Sequence, residues 1–220
     1  MSAEAEPAQA LSQDLGGLVV AGLDEAGRGP LAGSVVSGCV VLASPVGFDG
    51  LSDSKKLSDK KRDELYALIF DHALAVGIGI ASPSEIDELN ILRASLLSMA
   101  RAFSECQDKL DKAHSKKIAG AVIDGNQLAP LPDNIVQRTI IKGDSKSPPI
   151  MAASIIAKVT RDRQMLLADE KYPGYGFAAH KGYPTKRHQI ALEELGVTPI
   201  HRRSFAPVRK ALQACEEKSK

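Results

Sequence analysis

The chain has 220 residues and a mass of 23.4 kDa, with 44% hydrophobic and 25% charged residues. That suffices for one large domain or two small ones with a sizeable core, and it excludes wholesale disorder, collagen and coiled coil. The 28 basic and 27 acidic residues leave a net charge of +1, which taken alone argues against a nucleic-acid partner.

Cys39, Cys106 and Cys215 are widely spaced and include no C-x-x-C pair. They support neither a zinc knuckle nor a disulfide framework, and read as thiols in a reducing cytosol. The leading segment MSAEAEPAQALSQDLGG has no basic stretch before an apolar run, so it is not a secretory signal. The longest uncharged stretch, Gly29 to Phe48, is broken by Gly, Ser and Pro and does not suit a membrane span. A soluble cytoplasmic protein is expected.

Residues 1–17 read as a loose, flexible leader. Leu18 to Leu23 is a short apolar run, expected as a strand that ends in the pair Asp24-Glu25 and a Gly-rich turn. Ser34 to Leu42 is β-branched and is expected to pair antiparallel with it. A polar loop follows to about Leu57, and Ser58 is placed to cap a helix carrying Leu65, Leu68 and Ile69. Residues 75–81 form a third strand. SPSEIDELN opens a helical region in which Ile91, Leu92, Leu96, Met99 and Phe103 recur at helical spacing. GAVIDG gives a fourth strand ending at Asp124, and IVQRTIIKGD a fifth ending at Asp144. Pro148 and Pro149 begin another helix, and a Tyr/Gly/Pro-rich segment, 172–184, separates it from two short C-terminal helices. The order implies an α/β fold, a mixed sheet with helices packed on it. One domain is expected over 18–215, with a frayed tail at 216–220.

The near-neutral total conceals a polarised chain. Residues 1–137 hold 12 Lys+Arg against 19 Asp+Glu, net −7, whereas residues 138–210 hold 14 against 6, net +8. A basic segment of that strength fits a phosphate backbone, although a solvated helix surface accounts for it equally well.

Four carboxylates fall at or just beyond expected strand ends: Asp24, Glu25, Asp124 and Asp144. Clustered carboxylates repel unless a cation neutralises them, and an all-oxygen set favours Mg²⁺ or Mn²⁺ over zinc. Two such ions about 4 Å apart can activate a water and stabilise the leaving oxygen of a phosphodiester. Asp124-Gly and Asp144-Ser are also ordinary turn pairs; the adjacent acids Asp24-Glu25 serve no packing purpose. Gly27-Arg28-Gly29 lets backbone N–H groups approach a sugar or phosphate, or simply turns a hairpin. Asp53-Ser54-Lys55-Lys56 is a polar loop able to hold phosphates or to lie in solvent. Tyr183 sits between basic groups and can stack on a nucleotide, or pack half-buried. His180, His188 and His201 read as structural or phosphate-facing rather than as metal ligands.

The motifs GLDEAGRGPLAG, DSKKLS, EIDELNIL, VIDGN, KGDS, AASIIAKVTRD, YGFAAHKGYPT and HRRSFAPV, in that order from about Leu18 to Leu212, resemble those of prokaryotic ribonuclease HII, the type 2 ribonuclease H family. The resemblance implies a ribonuclease H-like fold, a five-stranded mixed sheet flanked by helices with a helical C-terminal part. It also implies hydrolysis of the RNA strand of RNA–DNA hybrids and cleavage 5′ to single ribonucleotides embedded in duplex DNA, leaving 3′-hydroxyl and 5′-phosphate ends. Asp24, Glu25, Asp124 and Asp144 match the catalytic and metal-binding acids, for a two-ion reaction with Mn²⁺ or Mg²⁺. Gly27, Arg28 and Gly29 match the motif that senses the ribose 2′-hydroxyl, and Tyr183 the tyrosine that stacks on the following deoxyribose. Lys55 and Lys56 are expected to bind substrate, and the protein to act as a monomer in ribonucleotide excision repair or primer removal. A nuclease of the same fold with another substrate, a non-catalytic nucleic-acid-binding module and a small-molecule phosphatase are the alternatives. The leader and the charged stretch Lys109–Lys117 are not family signatures.

Overall fold

The computed structural model of the protein describes residues 6–43 and 57–218. Its sheet begins with an antiparallel meander of β1 (Val19–Ala26), β2 (Val35–Leu42) and β3 (Ala73–Ala81). Two further strands, β4 (Ile118–Asp124) and β5 (Val136–Ile140), add parallel to the other side of β1. The resulting order is β3-β2-β1-β4-β5, with β1 at the centre. The expected mixed five-stranded sheet is therefore present.

Two long helices cover its faces. On one, α4 (Ile91–His114) packs Met99, Phe103 and Cys106 against Leu23, Cys39 and Ile123. On the other, α5 (Pro148–Lys171) and α2 (Asp59–His72) bury Ile155, Ile156, Leu65 and Ile69 against Val40 and Val76. The Ser58 hydroxyl caps α2 by accepting from the Lys61 N–H, and Ser82 and Glu85 close a capping box on α3 (Pro83–Leu89). The short α6 (Phe177–His180) and the helices α7 (Lys186–Leu195) and α8 (Ala206–Lys218) form the C-terminal part. Cys39 and Cys106 lie buried together under α4 as free thiols, and Cys215 is exposed.

Close approach of the helices depends on missing side chains. A Cβ at Gly22 would lie 2.2 Å from the Pro149 carbonyl carbon, and one at Gly38 would lie 2.4 Å from the Ala153 oxygen, both on α5. On the other face, a Cβ at Gly77 or Gly79 would fall 2.0 or 1.9 Å from carbonyl oxygens of α4. These glycines set how near α4 and α5 stand to the strands.

The structure corrects four expectations. The segment expected as a loose leader contains α1 (Pro7–Asp14), capped by the Glu6 carboxylate on the Ala8 and Gln9 N–H groups. Ala8 and Leu11 are buried against Val122 and Ile150, and Asp14 pairs with Arg138 at 2.6 Å. Two apolar residues one turn apart, with Pro at the first helical position, are enough once a sheet is there to receive them. Leu11→Ala should accordingly cost about 2–4 kcal/mol in urea unfolding; no measurable loss would show that α1 does not belong to the cooperative unit. Second, β1 runs on to Ala26, so Asp24 and Glu25 lie within the strand rather than after it. Third, β5 stops at Ile140, and Asp144 sits instead on the 3-10 turn Gly143–Ser145. Fourth, α8 continues to Lys218, through part of the tail expected to fray.

Candidate active site

β1 and β4 are adjacent and parallel, with Leu23 opposite Ile123, so Asp24 and Asp124 emerge side by side at the C-terminal edge of the sheet. Such edges present chemistry because the chain leaves the sheet there and opens a crevice. Asp24 is 5% exposed and accepts the Glu25 N–H at 2.7 Å and the Ser154 hydroxyl from α5. Gly38 lies directly across from Asp24 on β2, and its missing side chain lets α5 come near enough for Ser154 to reach. Glu25 alternates to the opposite face, where it joins Leu92, Ser95, Leu96 and Met99 in a small cavity of about 60 Å³ that Arg28, Asp124 and Asn126 also line. Asp124 Oδ1 accepts the Gly143 N–H at 2.6 Å, which ties β4 to the turn carrying Asp144, itself 6% exposed.

Burial pushes the Asp24 carboxyl well above the usual carboxylate range, and the neighbouring Glu25 and Asp124 push the same way. Burial also raises Glu25, against the pull of the Arg28 guanidinium 3.4 Å away. These acids are held where a negative charge is costly, and a cation among them would remove that cost. The donor set is all oxygen, which suits Mg²⁺ or Mn²⁺. Among the described residues no three His, Cys, Asp or Glu side chains are gathered into a ligand cluster.

The Gly27-Arg28-Gly29 segment follows β1 directly. Gly27 has φ +100°, and a Cβ there would lie 2.1 Å from Arg161 Nε, so no other residue fits. Tyr183 is 46% exposed. Its ring lies against Gly29, whose missing Cβ would stand 3.4 Å from Tyr183 Cε1. The structure thus brings together Asp24, Glu25, Asp124, Gly27, Arg28, Gly29 and Tyr183, with Asp144 on the turn next to Asp124. Lys55 and Lys56 lie outside the described residues.

Three features of the site lie outside the residues expected to act in catalysis or binding. Ser154 and Arg161 sit inside AASIIAKVTRD and Arg202 inside HRRSFAPV, yet nothing in the letters says that the two arginines are buried. The third feature is a histidine relay below Tyr183. His201 Nδ1 accepts from the Thr198 N–H at 2.9 Å, so its Nε2 carries the proton and donates to His188 Nε2 at 3.0 Å. His188 Nδ1 then donates to the Tyr183 carbonyl at 3.0 Å. The histidines are therefore structural, as expected, and both are neutral. Burial and the facing His188 push His201 down to about 4, and burial also lowers His188. A base whose folded pKa is depressed binds fewer protons than its unfolded form, whose pKa is near 6.5, so stability is lost as pH falls from about 6.5 to 4. His201 alone accounts for about 3 kcal/mol over that window. His201→Gln should flatten the decline in urea midpoints between pH 7 and pH 4.5; an unchanged slope would exclude the relay as its source.

Residues 21–208 match the family model for ribonuclease HII. Similar proteins include the ribonuclease HII of Polynucleobacter necessarius, 53% identical over 89% of this chain and 96% of its own length. That of Shewanella loihica is 52% identical over 89% of this chain and 90% of its own. Among solved structures, the ribonuclease H2 of Pyrococcus horikoshii superposes with a TM-score of 0.75 at 29% identity, covering 91% of this chain and all of that one. The RNase HII of Archaeoglobus fulgidus, solved in complex with PCNA, gives 0.64 at 28% identity over 86% and 95%. A Bst-RNase HIII solved with Mn²⁺ shares the fold with a TM-score of 0.70 at 18% identity, over 99% of this chain and 76% of that one. The chain belongs to the ribonuclease HII family, endonucleases that cleave the RNA of RNA–DNA hybrids.

Proposed function

We propose that the protein hydrolyses the RNA strand of RNA–DNA hybrids and also cuts 5′ to single ribonucleotides embedded in duplex DNA, leaving 3′-hydroxyl and 5′-phosphate ends. The observation that carries this reading is the placement of the Tyr183 ring beside Gly29, where a Cβ would stand 3.4 Å from Tyr183 Cε1, near the sheet edge that carries Asp24 and Asp124. A backbone loop that can take the ribose 2′-hydroxyl, and a ring that can stack on the next sugar, stand at neighbouring positions along one strand.

Asp24 and Asp124 would hold two Mg²⁺ or Mn²⁺ ions, with Glu25 and Asp144 completing the set. When bound, these ions supply an activated water in line with the phosphorus and charge neutralisation at the leaving oxygen. The chain's own groups do the positioning: Ser154 orients Asp24, Gly143 orients Asp124, and Gly27-Arg28-Gly29 sets the ribose. Lys142 and Lys146 flank the Asp144 turn, while Lys186 and Arg187 open α7 after Tyr183, and all four are exposed. They would follow the phosphate backbone without reading bases, so affinity should fall steeply with salt. The surface is less basic than the count suggests, because Arg161 and Arg202 are buried and Arg138, Lys158 and Arg163 face acids. Among the described residues no helix is long and apolar enough to cross a membrane; action as a cytoplasmic monomer, in embedded-ribonucleotide repair or primer removal, fits this reading.

The test is a duplex carrying one ribonucleotide, incubated with Mg²⁺ or Mn²⁺ beside an all-DNA control. Cleavage of the first alone, on the 5′ side of the ribonucleotide, is expected. Cleavage of both duplexes, or of neither, would sink the proposal.

A further inference from the structure

A buried arginine is ordinarily held by a carboxylate. Arg161 and Arg202 are 1% and 0% exposed, and among the described residues neither forms an ion pair with an acid. Among the described residues every hydrogen-bond partner is a main-chain carbonyl, and the Phe205 ring lies 5.2 Å from the Arg202 guanidinium carbon. Arg202 donates from Nη2 to Gly27 at 2.6 Å and Ser34 at 3.2 Å, from Nη1 to Arg28 at 2.9 Å, and from Nε to Gly33 at 2.9 Å. Arg161 donates to Ser34 at 3.1 Å, to Ala32 at 3.2 Å and, across the gap, to Lys181 at 3.0 Å. Six of these seven bonds hold the loop between β1 and β2, and the seventh holds the loop that carries Tyr183. Backbone bonds follow the same path: Leu31 N–H to Gly182 O, Arg202 N–H to Leu31 O and Gly33 N–H to Ile200 O.

We propose that Arg161 and Arg202 are positioning residues for ribose recognition, holding the Gly27–Ser34 loop from beneath and locking it in register with Tyr183. The proposal rests on the reading of Gly27–Gly29 and Tyr183 given above. In a trans peptide the C=O and the following N–H point in opposite directions. Drawing the Gly27 and Arg28 carbonyls inward onto Arg202 therefore aims the Arg28 and Gly29 N–H groups outward, where a 2′-hydroxyl can accept from them. The planar fork with five donors lets Arg202 serve four carbonyls at fixed angles; an ammonium keeps the charge but has three donors and loses that geometry. Arg161 adds the coupling, because its Nη2 spans Ala32 on the ribose loop and Lys181 on the tyrosine loop. Each arginine thereby acts on substrate through the backbone it holds.

Arg202→Lys and Arg161→Lys separate positioning from mere support. Arg202→Lys should lower kcat about ten- to a hundredfold on both the single-ribonucleotide duplex and a continuous RNA–DNA hybrid, with KM little changed. Arg161→Lys should lower cleavage of the single-ribonucleotide duplex more than that of the hybrid, and should add little further loss in a Tyr183→Ala background. Amide hydrogen exchange in the free variants should quicken at 27–34 and 181–183 while β1 and β4 keep their protection. Equal losses on both substrates for Arg161→Lys, additive effects with Tyr183→Ala, or exchange that rises evenly across the fold would overturn the proposal. If the wild-type protein cut neither substrate, the ribonuclease reading would fail on its own. The exchange experiment would still decide whether the two arginines tie the loops together.

Discussion

Asp24→Asn is expected to abolish cleavage while raising the melting temperature in metal-free buffer. The Asp24 carboxylate is buried beside Glu25 and Asp124, and its anion is disfavoured by both burial and their charge. Asparagine keeps the shape and an oxygen acceptor for the Glu25 N–H and the Ser154 hydroxyl, and it removes the charge. Relief of that repulsion should stabilise the free protein by about 1–2 kcal/mol, which for a chain of this size is a rise of a few degrees. On the two-ion reading proposed above, the same change would delete a metal ligand whose electrostatic contribution is several kcal/mol, so the rate should fall by more than about 10³-fold. Such a result would mean that function at this position is maintained at a cost in stability. Asp124→Asn makes a companion test, since its Oδ1 can still accept the Gly143 N–H. It should leave fold and duplex binding intact and remove cleavage. Cleavage surviving in either variant would take that acid out of the mechanism. A lower melting temperature for Asp24→Asn would show that the acids are not in conflict.

Gly38→Ala should be strongly destabilising, like the same change at Gly22, Gly77 or Gly79, where a Cβ would stand closer still to helix backbone. Its Cβ would stand 2.4 Å from the Ala153 oxygen and 3.1 Å from its carbonyl carbon, both backbone atoms in the second turn of α5. A flexible side chain could yield; a helix backbone cannot move without carrying its buried face with it. Overpacking of this kind costs about 3 kcal/mol, roughly 6–12 °C in melting temperature. Because Gly38 faces Asp24, displacement of α5 should also draw Ser154 away from the carboxylate, so activity should fall further than the stability loss explains. Thermal scans and cleavage assays well below the melting temperature separate the two effects. A variant of near-normal stability would mean that α5 sits more loosely than its contacts indicate.

Most of the sheet was legible because strands and long helices announce themselves by repetition. The β-branched run at 34–42 and the helical spacing from Ile91 to Phe103 each gave the right element. Asp24 and Glu25 stood out as candidates for another reason: two adjacent acids after an apolar run have no packing function. Asp124, in an ordinary Asp-Gly pair, stood out only by its place at a strand end and by the family resemblance. What escaped the sequence depends on contacts across long separations. Asp144 was expected to end a strand, but β5 stops at Ile140 and a left-handed Lys142 turns the chain into the 3-10 segment. The helix α1 has too few apolar residues to declare itself and exists because Val122 and Ile150 receive it. Arg161 and Arg202 were counted with the surface charge, since composition cannot reveal that a guanidinium will find carbonyls more than a hundred residues away.

The hydrogen bond from Arg202 to Gly27 joins residues 175 apart in sequence. During synthesis, β1 and the segment that follows it leave the ribosome long before the arginine that shapes that segment. The acids on β1 and β4 lie in the first two thirds of the chain, whereas the Gly27–Ser34 loop lacks its bonds to Arg202 until the HRRSF segment has emerged. On the function proposed above, a nascent chain halted before residue 202 would therefore carry its strand-end acids without the bonds that shape the ribose-binding loop. Selectivity of that kind would be completed among the last events in making the protein, because contacts of such long range close late.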